Sequence, residues 1–136
     1  MAFSPRFEQI CRDWMHYFCP ETVAGGVPIR VESGTVHDPA SKMNHELDIV
    51  TFGFVDHGPR PLLAIGEAKW NEVMGMKHLE RLRRIRGLLI AQDRPGAATT
   101  RLFCFGGAGF TEELHAEAAR AADVVLVTPA ELYPIR

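Results

Sequence analysis

The sequence predicts one α/β domain built on a mixed β-sheet with helices on both faces. Apolar residues recur first at helical spacing, then in three strand-like runs, and then in alternating helical and strand-like runs, which gives the order αβββαβαβ. Short connections among the first three strands favour an antiparallel meander, whereas the later strands are separated by helices and favour crossover units. The chain has 136 residues, the length of a single domain, so we assign residues 1–136 to one domain.

The first helix is predicted to begin at Ser4 and Pro5, because a serine oxygen can accept a first-turn N–H and proline needs no donor there. Its apolar residues follow a helical period until Pro20 ends the run; they are Phe7, Ile10, Cys11, Trp14, Met15 and Phe18. Three strands are then predicted at 29–36, 45–54 and 62–70, with a polar loop at 38–44 between the first two.

The second half of the chain is predicted to contain two helices and two strands. The longest helix is expected at 72–91, where the apolar positions follow a helical period; they are Val73, Met76, Leu79, Leu82, Ile85 and Leu89. A short strand at 101–105 leads into a glycine-rich loop. Thr111 is placed to cap a helix that runs to Ala122, and the last strand occupies 124–127.

The composition is that of an ordinary globular protein and excludes a strongly basic one. Hydrophobic residues make up 46% of the chain and charged residues 24%, and the formal net charge is -2. A protein that coats nucleic acid carries a large positive charge, so any contact with nucleic acid here must be local.

The cysteines and the N-terminal residues predict a cytoplasmic protein without a membrane segment. Cys11, Cys19 and Cys104 are odd in number and lack the paired short spacings of a zinc site or a disulfide framework, so we expect reduced, buried thiols. The N-terminus lacks a basic stretch followed by an apolar run, and nowhere do eighteen apolar residues follow one another.

Acidic and basic side chains are predicted to converge on two neighbouring strands. Strict alternation places Glu67 and Lys69 on one face of the third strand, and it places Glu46 and Asp48 on one face of the second, together with Val50 and Phe52. A hairpin between these strands would bring Asp48 beside Glu67. Two adjacent carboxylates repel each other unless a cation neutralises them, and Mg²⁺ or Mn²⁺ prefers such oxygen ligands.

Several segments resemble a known nuclease family. The runs HELDIV and LLAIGEAKW resemble the Asp-then-Glu-x-Lys signature of the PD-(D/E)XK nuclease superfamily. Together with FEQICRDW and LFCFGGAGFTEEL, they are similar to the nuclease-like domain at the C-terminus of certain prokaryotic AAA-type ATPases, and this similarity spans nearly the whole chain. The resemblance implies a restriction-endonuclease-like fold and a Mg²⁺ or Mn²⁺ ion held by Asp48 and Glu67. It also implies catalytic roles for Lys69 and for Glu8 on the first helix.

The sequence departs from this pattern in two places. Leu47 precedes Asp48 where the name of the superfamily has a proline. This sequence also contains no GxxxxGK[ST] phosphate-binding loop, so the ATPase motor of the similar proteins is missing from it, and we expect either a stand-alone domain with an ATPase partner or a domain excised from a longer ATPase.

Three further residues have more than one interpretation. Glu8 either joins the site or pairs with Arg12 one helical turn later. Glu46 is either a secondary ligand or a solvated residue, and His45 lies next to the predicted site, where a histidine can move a proton. We interpret Trp70 as a core residue on the face opposite Lys69. The basic residues of the longest helix spread around its axis, and we interpret them as a solvated surface; they are Lys77, Arg81, Arg83, Arg84 and Arg86.

These observations lead to one main hypothesis and two alternatives. The main hypothesis is a metal-dependent endonuclease that hydrolyses phosphodiester bonds in DNA. The first alternative is a catalytically inactive nuclease-fold module that binds nucleic acid or docks an AAA-type ATPase partner. The second is a homodimerisation domain, for which residues 116–122 offer a moderately apolar surface.

Overall fold

The structure, a computed structural model, describes the backbone of residues 4–133 and the side chains of residues 6–133. Its α-helices are α1 (Ser4–Tyr17), α2 (Glu21–Ala24), α3 (Met76–Ala91), α4 (Glu112–Arg120) and α5 (Pro129–Leu132). Its strands are β1 (Arg30–Asp38), β2 (Met43–Phe52), β3 (Leu62–Lys69), β4 (Arg101–Gly106) and β5 (Val124–Val127). A short 3-10 helix, Ala97–Thr99, precedes β4. The predicted order of long elements is confirmed; α2, α5 and the 3-10 helix were not predicted.

The five strands form one mixed sheet in the order β1-β2-β3-β4-β5. The pairs β1/β2 and β2/β3 are antiparallel, which confirms the predicted meander. The pairs β3/β4 and β4/β5 are parallel, as the intervening helices require. The protein is therefore an α/β domain, and β3 is the strand at which antiparallel pairing gives way to parallel pairing.

Each face of the sheet has its own apolar core. On one face α1 contributes Phe7, Cys11 and Met15, which pack with Ile49 and Phe103 and with the partly buried Leu132 of α5. On the other face α3 and α4 cover a larger cluster; it includes Val36, Leu47, Val50, Ile65, Leu79, Leu82, Ile85 and Leu114. The prediction of helices on both faces is confirmed.

The three cysteines are free thiols, and all of them are buried. Burial raises the pKa of Cys19 to about 11 and that of Cys104 to about 12. The expectation of reduced, buried thiols is confirmed, and these groups are poor nucleophiles. None of the helices between residues 4 and 133 is long and apolar enough to cross a membrane.

The longest helix begins four residues later than the sequence predicts. Met74 is fully buried and is held in an extended bridge, because its N–H donates to the Gly109 carbonyl and its carbonyl accepts from the Thr111 N–H. Gly75 then donates its N–H to His78 Nδ1 at 3.0 Å as α3 starts. The apolar side chain of Met74 fits a helical period, but its backbone N–H and carbonyl are hydrogen-bonded to the loop that precedes α4, so this residue cannot join the helix.

The predicted loop at 38–44 is also shorter than expected, because β1 continues to Asp38 and β2 begins at Met43. Asp38 closes the turn by accepting hydrogen bonds from the Ala40 N–H at 3.0 Å and from the Ser41 hydroxyl at 2.8 Å. Lys42 takes a positive φ of 59° there. The polar residues at 38–44 predict a long loop, but the hydrogen bonds to the Asp38 side chain stabilise a tight turn instead.

A β-bulge interrupts β2 at Asp48 and Ile49. Glu32 of β1 pairs with Val50, and Gly34 pairs with Leu47. Two residues of β2 therefore lie opposite a single residue of β1 at this point. As a result Leu47 and Val50 pack on the α3 face, although strict alternation would place them on opposite faces. The prediction that Val50 shares a face with Glu46 and Asp48 is therefore wrong.

Beyond this bulge the hairpin of β1 and β2 packs along α3. Val36 and Leu47 join the core beneath the helix. At one point Arg81 Nη2 donates to the Glu46 carbonyl at 2.6 Å, and further along the helix Gln92 Nε2 donates to the His37 carbonyl at 2.9 Å. We call residues 34–47 the distal hairpin.

Candidate functional site

A cleft of about 580 Å³, which we call the polar cleft, lies at the end of the sheet where β3 terminates. It is formed by the first turns of α1, the bulge of β2, the end of β3 with the segment that follows it, and the first half of α3. Its lining residues are Phe7, Glu8, Glu46, Asp48, Glu67, Ala68, Lys69, Trp70, Asn71, Glu72 and Arg81. The structure therefore brings the predicted residues Glu8, Glu46, Asp48, Glu67 and Lys69 to one place.

Glu67 lies at the centre of this arrangement and is only 7% exposed. Its Oε2 is 3.4 Å from Lys69 Nζ, and its Oε1 is 3.3 Å from Arg81 Nη1. Burying a carboxylate is costly unless cations and hydrogen bonds compensate it. The two cations supply that compensation, and the predicted proximity of Glu67 and Lys69 is found.

Asp48 is held differently, although it lies beside Glu67. The pairing of Ile49 with Gly66 aligns the two acidic residues, and Asp48 Oδ2 accepts a hydrogen bond from the Ala68 N–H at 2.9 Å. Burial raises the pKa of Asp48, and the charge of Glu67 raises it further, against the lowering effects of the Ala68 N–H, Lys69 and Arg12. The negative charge on Asp48 is therefore only partly compensated.

Glu8 reaches the cleft from the second turn of α1. Burial and the charge of Asp48 raise the pKa of Glu8. Among the described ion pairs none joins Glu8 to Arg12. Arg12 instead donates to the Asp48 carbonyl at 2.8 Å and to Gln9 Oε1 at 3.2 Å. The geometry thus favours Glu8 as a member of the site over Glu8 as a partner of Arg12.

Glu46 and His45 have different positions. Glu46 lines the polar cleft with an exposed side chain, while its carbonyl accepts from Arg81. His45 is not one of the cleft-lining residues, and its charge acts on Asp38 at the turn of the distal hairpin. Glu46 therefore remains a candidate for a secondary role, and the described geometry gives His45 no contact with the cleft.

Arg81 is a site residue, although the sequence pattern groups it with the solvated arginines of its helix. It contacts both the Glu67 carboxylate and the Glu46 carbonyl. A signal was present: the buried positions of α3 include His78, Leu82 and Ile85, and Arg81 lies next to that stripe on the helical surface. An arginine at the edge of a buried stripe extends its guanidinium past the apolar rows.

Trp70 was also misplaced by strict alternation. It follows the last residue of β3, so the alternation no longer applies to it. Its ring packs against Phe7 with a centroid distance of 5.2 Å, is 38% exposed and lines the polar cleft beside Lys69. The cleft therefore has an aromatic wall on the side of α1.

The cleft carries more negative than positive side chains. Glu8, Glu46, Asp48, Glu67 and Glu72 face only two cations, Lys69 and Arg81. No group of three or more His, Cys, Asp or Glu side chains that could hold a metal ion is found within the described residues. Mg²⁺ is commonly held by only one or two carboxylates and by several waters. The donor set of Asp48 and Glu67 fits that smaller requirement, and a divalent cation would offset the charge that burial disfavours on Asp48.

Comparisons of the chain with protein-family models, with curated proteins and with solved structures found no significant match. The features that bear on function are the polar cleft itself and the sequence motifs that place residues in it.

Proposed function

We propose that this protein is a metal-dependent nuclease that hydrolyses phosphodiester bonds in DNA, with its active site in the polar cleft. The observation that carries the proposal is the buried Glu67 carboxylate, held by Lys69 and Arg81 beside an Asp48 whose charge is incompletely compensated. Catalytic sites keep such costly groups, whereas a purely structural cleft gains nothing from them. The resemblance of HELDIV and LLAIGEAKW to the PD-(D/E)XK signature supports the choice of substrate.

The finer fold assignment is part of the same proposal. The order αβββαβαβ and the switch from antiparallel to parallel pairing at β3 support a restriction-endonuclease-like core. In that arrangement the acidic residues of β2 and β3 meet where the two strands are paired. We place the protein in the cytoplasm as part of this proposal.

Asp48 and Glu67 are the residues that would hold Mg²⁺ or Mn²⁺. Such an ion polarises a phosphoryl oxygen and lowers the pKa of a bound water. Lys69 is more than one third exposed at the mouth of the cleft, so its ammonium can stabilise negative charge on a phosphate oxygen. Glu8 faces Asp48 from α1 and can accept a proton from the attacking water.

The first test is calorimetric titration of Mg²⁺ and Mn²⁺ into the wild type, Asp48→Asn and Glu67→Gln. We expect one saturable site in the wild type and none in either variant. Arg84→Ala, which removes an exposed arginine of α3 outside the cleft, should bind the ions as the wild type does. At ten times the Kd, bound Mg²⁺ should also raise the free energy of unfolding by about 1.4 kcal/mol.

The second test is cleavage of supercoiled plasmid and of single-stranded DNA with Mg²⁺, with Mn²⁺ and with EDTA. We expect cleavage that requires the metal and is lost in Asp48→Asn, Glu67→Gln and Lys69→Ala. The Lys69 variant should still bind the ion, which separates metal binding from catalysis.

One alternative has a specific observation in its favour. Both oxygens of Glu67 already have cationic partners in the chain, so the fold satisfies this carboxylate without a metal. If the wild type binds neither ion at millimolar concentration, the nuclease proposal fails. The protein would then be a non-cleaving module that binds nucleic acid or docks an AAA-type ATPase partner.

A further inference from the structure

A second concavity, which we call the apolar pocket, lies on the α3 face of the sheet and encloses about 560 Å³. None of its lining residues belongs to the polar cleft. Its floor is formed by two strands, mainly by Val50 and Phe52 of β2 and Leu62 of β3, with the fully buried Ile65 beneath them. Residues 34–36 and Leu47 of the distal hairpin, the end of α3 and the loop before β3 surround this floor.

The pocket exists because the bulge of β2 bends the distal hairpin over α3 and leaves a space on the side of the hairpin that faces the start of β3. Gly34 keeps part of that space open, since a Cβ at this position would lie only 3.0 Å from Val50 Cγ2. The opposite side is fixed by a hydrogen bond of 2.8 Å from the Leu62 N–H to the Pro95 carbonyl. The pocket is thus bounded by rigid backbone on both sides.

Arginines surround this apolar floor. Arg30, Arg60 and Arg94 line the pocket with a single acidic residue, Glu32, and Arg30 is already paired with Glu32 at 2.7 Å. Within residues 6–133 neither Arg60 nor Arg94 takes part in an ion pair. The hydrogen bond between Leu62 and Pro95 holds together the two segments that carry them. Two uncompensated guanidinium groups therefore lie at one rim.

We propose that the apolar pocket binds a small organic anion, a molecule with an apolar body and one carboxylate, sulfonate or phosphate end. The body would lie on the floor of Val50, Phe52 and Leu62, and Arg60 and Arg94 would bind the charged end. The volume is typical of small-molecule sites, which combine apolar walls with a few placed polar groups. Arginine binds such anions well because its planar guanidinium group can donate two hydrogen bonds to one anionic group at the same time. The proposal is independent of the nuclease activity.

The alternative occupants are a polypeptide and a second copy of the chain. A polypeptide needs a long open groove, whereas this pocket is closed by the distal hairpin, by the end of α3 and by the loop that carries Arg60. The positive rim also opposes a symmetric contact with a second copy, because like charges would meet across the interface. Both features favour the small anion.

The experiment is a fluorescence titration with two dyes of nearly the same aromatic body. Anilinonaphthalene sulfonate carries one negative charge, and phenylnaphthylamine is neutral. We expect one saturable site for the sulfonate and a Kd at least about tenfold weaker for the neutral dye. Arg60→Ala and Arg94→Ala should each weaken the sulfonate about tenfold or more without affecting the neutral dye. Arg84→Ala, an exposed arginine outside the pocket, should change neither Kd.

A fourth variant tests the location of the site. Glu32 pairs with Val50 between β1 and β2, so its partly exposed side chain faces the pocket, and Glu32→Trp should fill the space and abolish binding of both dyes. Circular dichroism and urea unfolding of every variant would exclude loosened protein, which also binds such dyes. Absence of a saturable site, or equal affinity for both dyes in the wild type and in the arginine variants, would overturn the proposal. Sedimentation that shows a dimer dissociated by Glu32→Trp would overturn it in favour of a second copy.

Discussion

The polar cleft and the apolar pocket are lined by neighbouring residues of one strand, β2. Burial destabilises the residue that lines the cleft and stabilises the residue that lines the pocket. Asp48 lines the cleft with a charge that burial disfavours, whereas Leu47 lines the pocket and is only 2% exposed. The bulge between Leu47 and Val50 produces this division. The difference shows that one strand lines both concavities, with a carboxylate whose charge burial disfavours on the side of the cleft and a packed apolar side chain on the side of the pocket.

The largest effect should come from Leu47→Ala. The change removes a buried side chain that packs with Val50 and Ile65, and we expect a loss of about 2–5 kcal/mol in the free energy of unfolding. Urea unfolding followed by circular dichroism measures it. Leu88→Ala is the matched control on the partly buried side of α3 and should cost clearly less. A cost for Leu47→Ala equal to that of the control would mean that the distal hairpin is not packed as described.

An intermediate effect is expected for Arg81→Ala. This variant leaves Glu67 with one cation and the Glu46 carbonyl without its donor, so we expect a loss of about 1–3 kcal/mol. Arg84→Ala should stay within about 0.5 kcal/mol of the wild type. If Glu67 binds a divalent ion, Mg²⁺ should restore more stability to Arg81→Ala than it adds to the wild type. A stabilised Arg81→Ala would contradict the role of Arg81 as a counterion.

The smallest effect has the opposite sign. Burial and the charge of Glu67 raise the pKa of Asp48 above its ordinary value of 3.8, so the folded protein binds this proton more tightly than the unfolded chain does. Ionised Asp48 therefore destabilises the fold at every pH above the raised pKa, and this penalty disappears as the pH falls towards 3.8. Asp48→Asn keeps an oxygen for the Ala68 N–H and should raise the free energy of unfolding by about 0.5–2 kcal/mol near neutral pH.

Urea unfolding of Asp48→Asn and the wild type without divalent ions, across a series of pH values, measures this difference. The gain should shrink as the pH falls through the raised pKa towards 3.8 and should vanish below 3.8, where Asp48 is protonated in both states. Asp56→Asn, in the exposed loop between β2 and β3, should change stability little at any pH. A loss of stability in Asp48→Asn would mean that the charge of Asp48 supports the fold.

Elements whose bounds depend on residues close together in the sequence, such as helix caps and short apolar runs, could be predicted from the sequence. The last strand has the predicted bounds, and Thr111 caps α4 by accepting the Leu114 N–H at 3.2 Å. The first helix begins at the predicted residue, although the side chains of Ser4 and Pro5 lie outside the described part of the chain. The convergence of Asp48, Glu67 and Lys69 also followed from strand order and spacing, because these depend on short-range periodicity, whereas only the family resemblance implied Glu8.

The features that could not be predicted depend on contacts distant in sequence. The bulge at Asp48 and Ile49 has no local signal in the sequence, although it determines which side chains of β2 face α3. Met74 looks helical but is held by Gly109 and Thr111, more than thirty residues later. Arg81 joined the site only when the fold placed α3 across the bent hairpin, which also created the apolar pocket.

The two hydrogen bonds that tie the distal hairpin to α3 also define a unit of local unfolding. Arg81 and Gln92 hold the distal hairpin at two points about 16 Å apart along the helix axis. The tip of the hairpin, from His37 to Glu46, is largely exposed to solvent. Such segments open at a small fraction of the global free energy of unfolding. Since Glu46 belongs to this exposed tip and also lines the polar cleft, a movement of the tip would change the width of the cleft mouth.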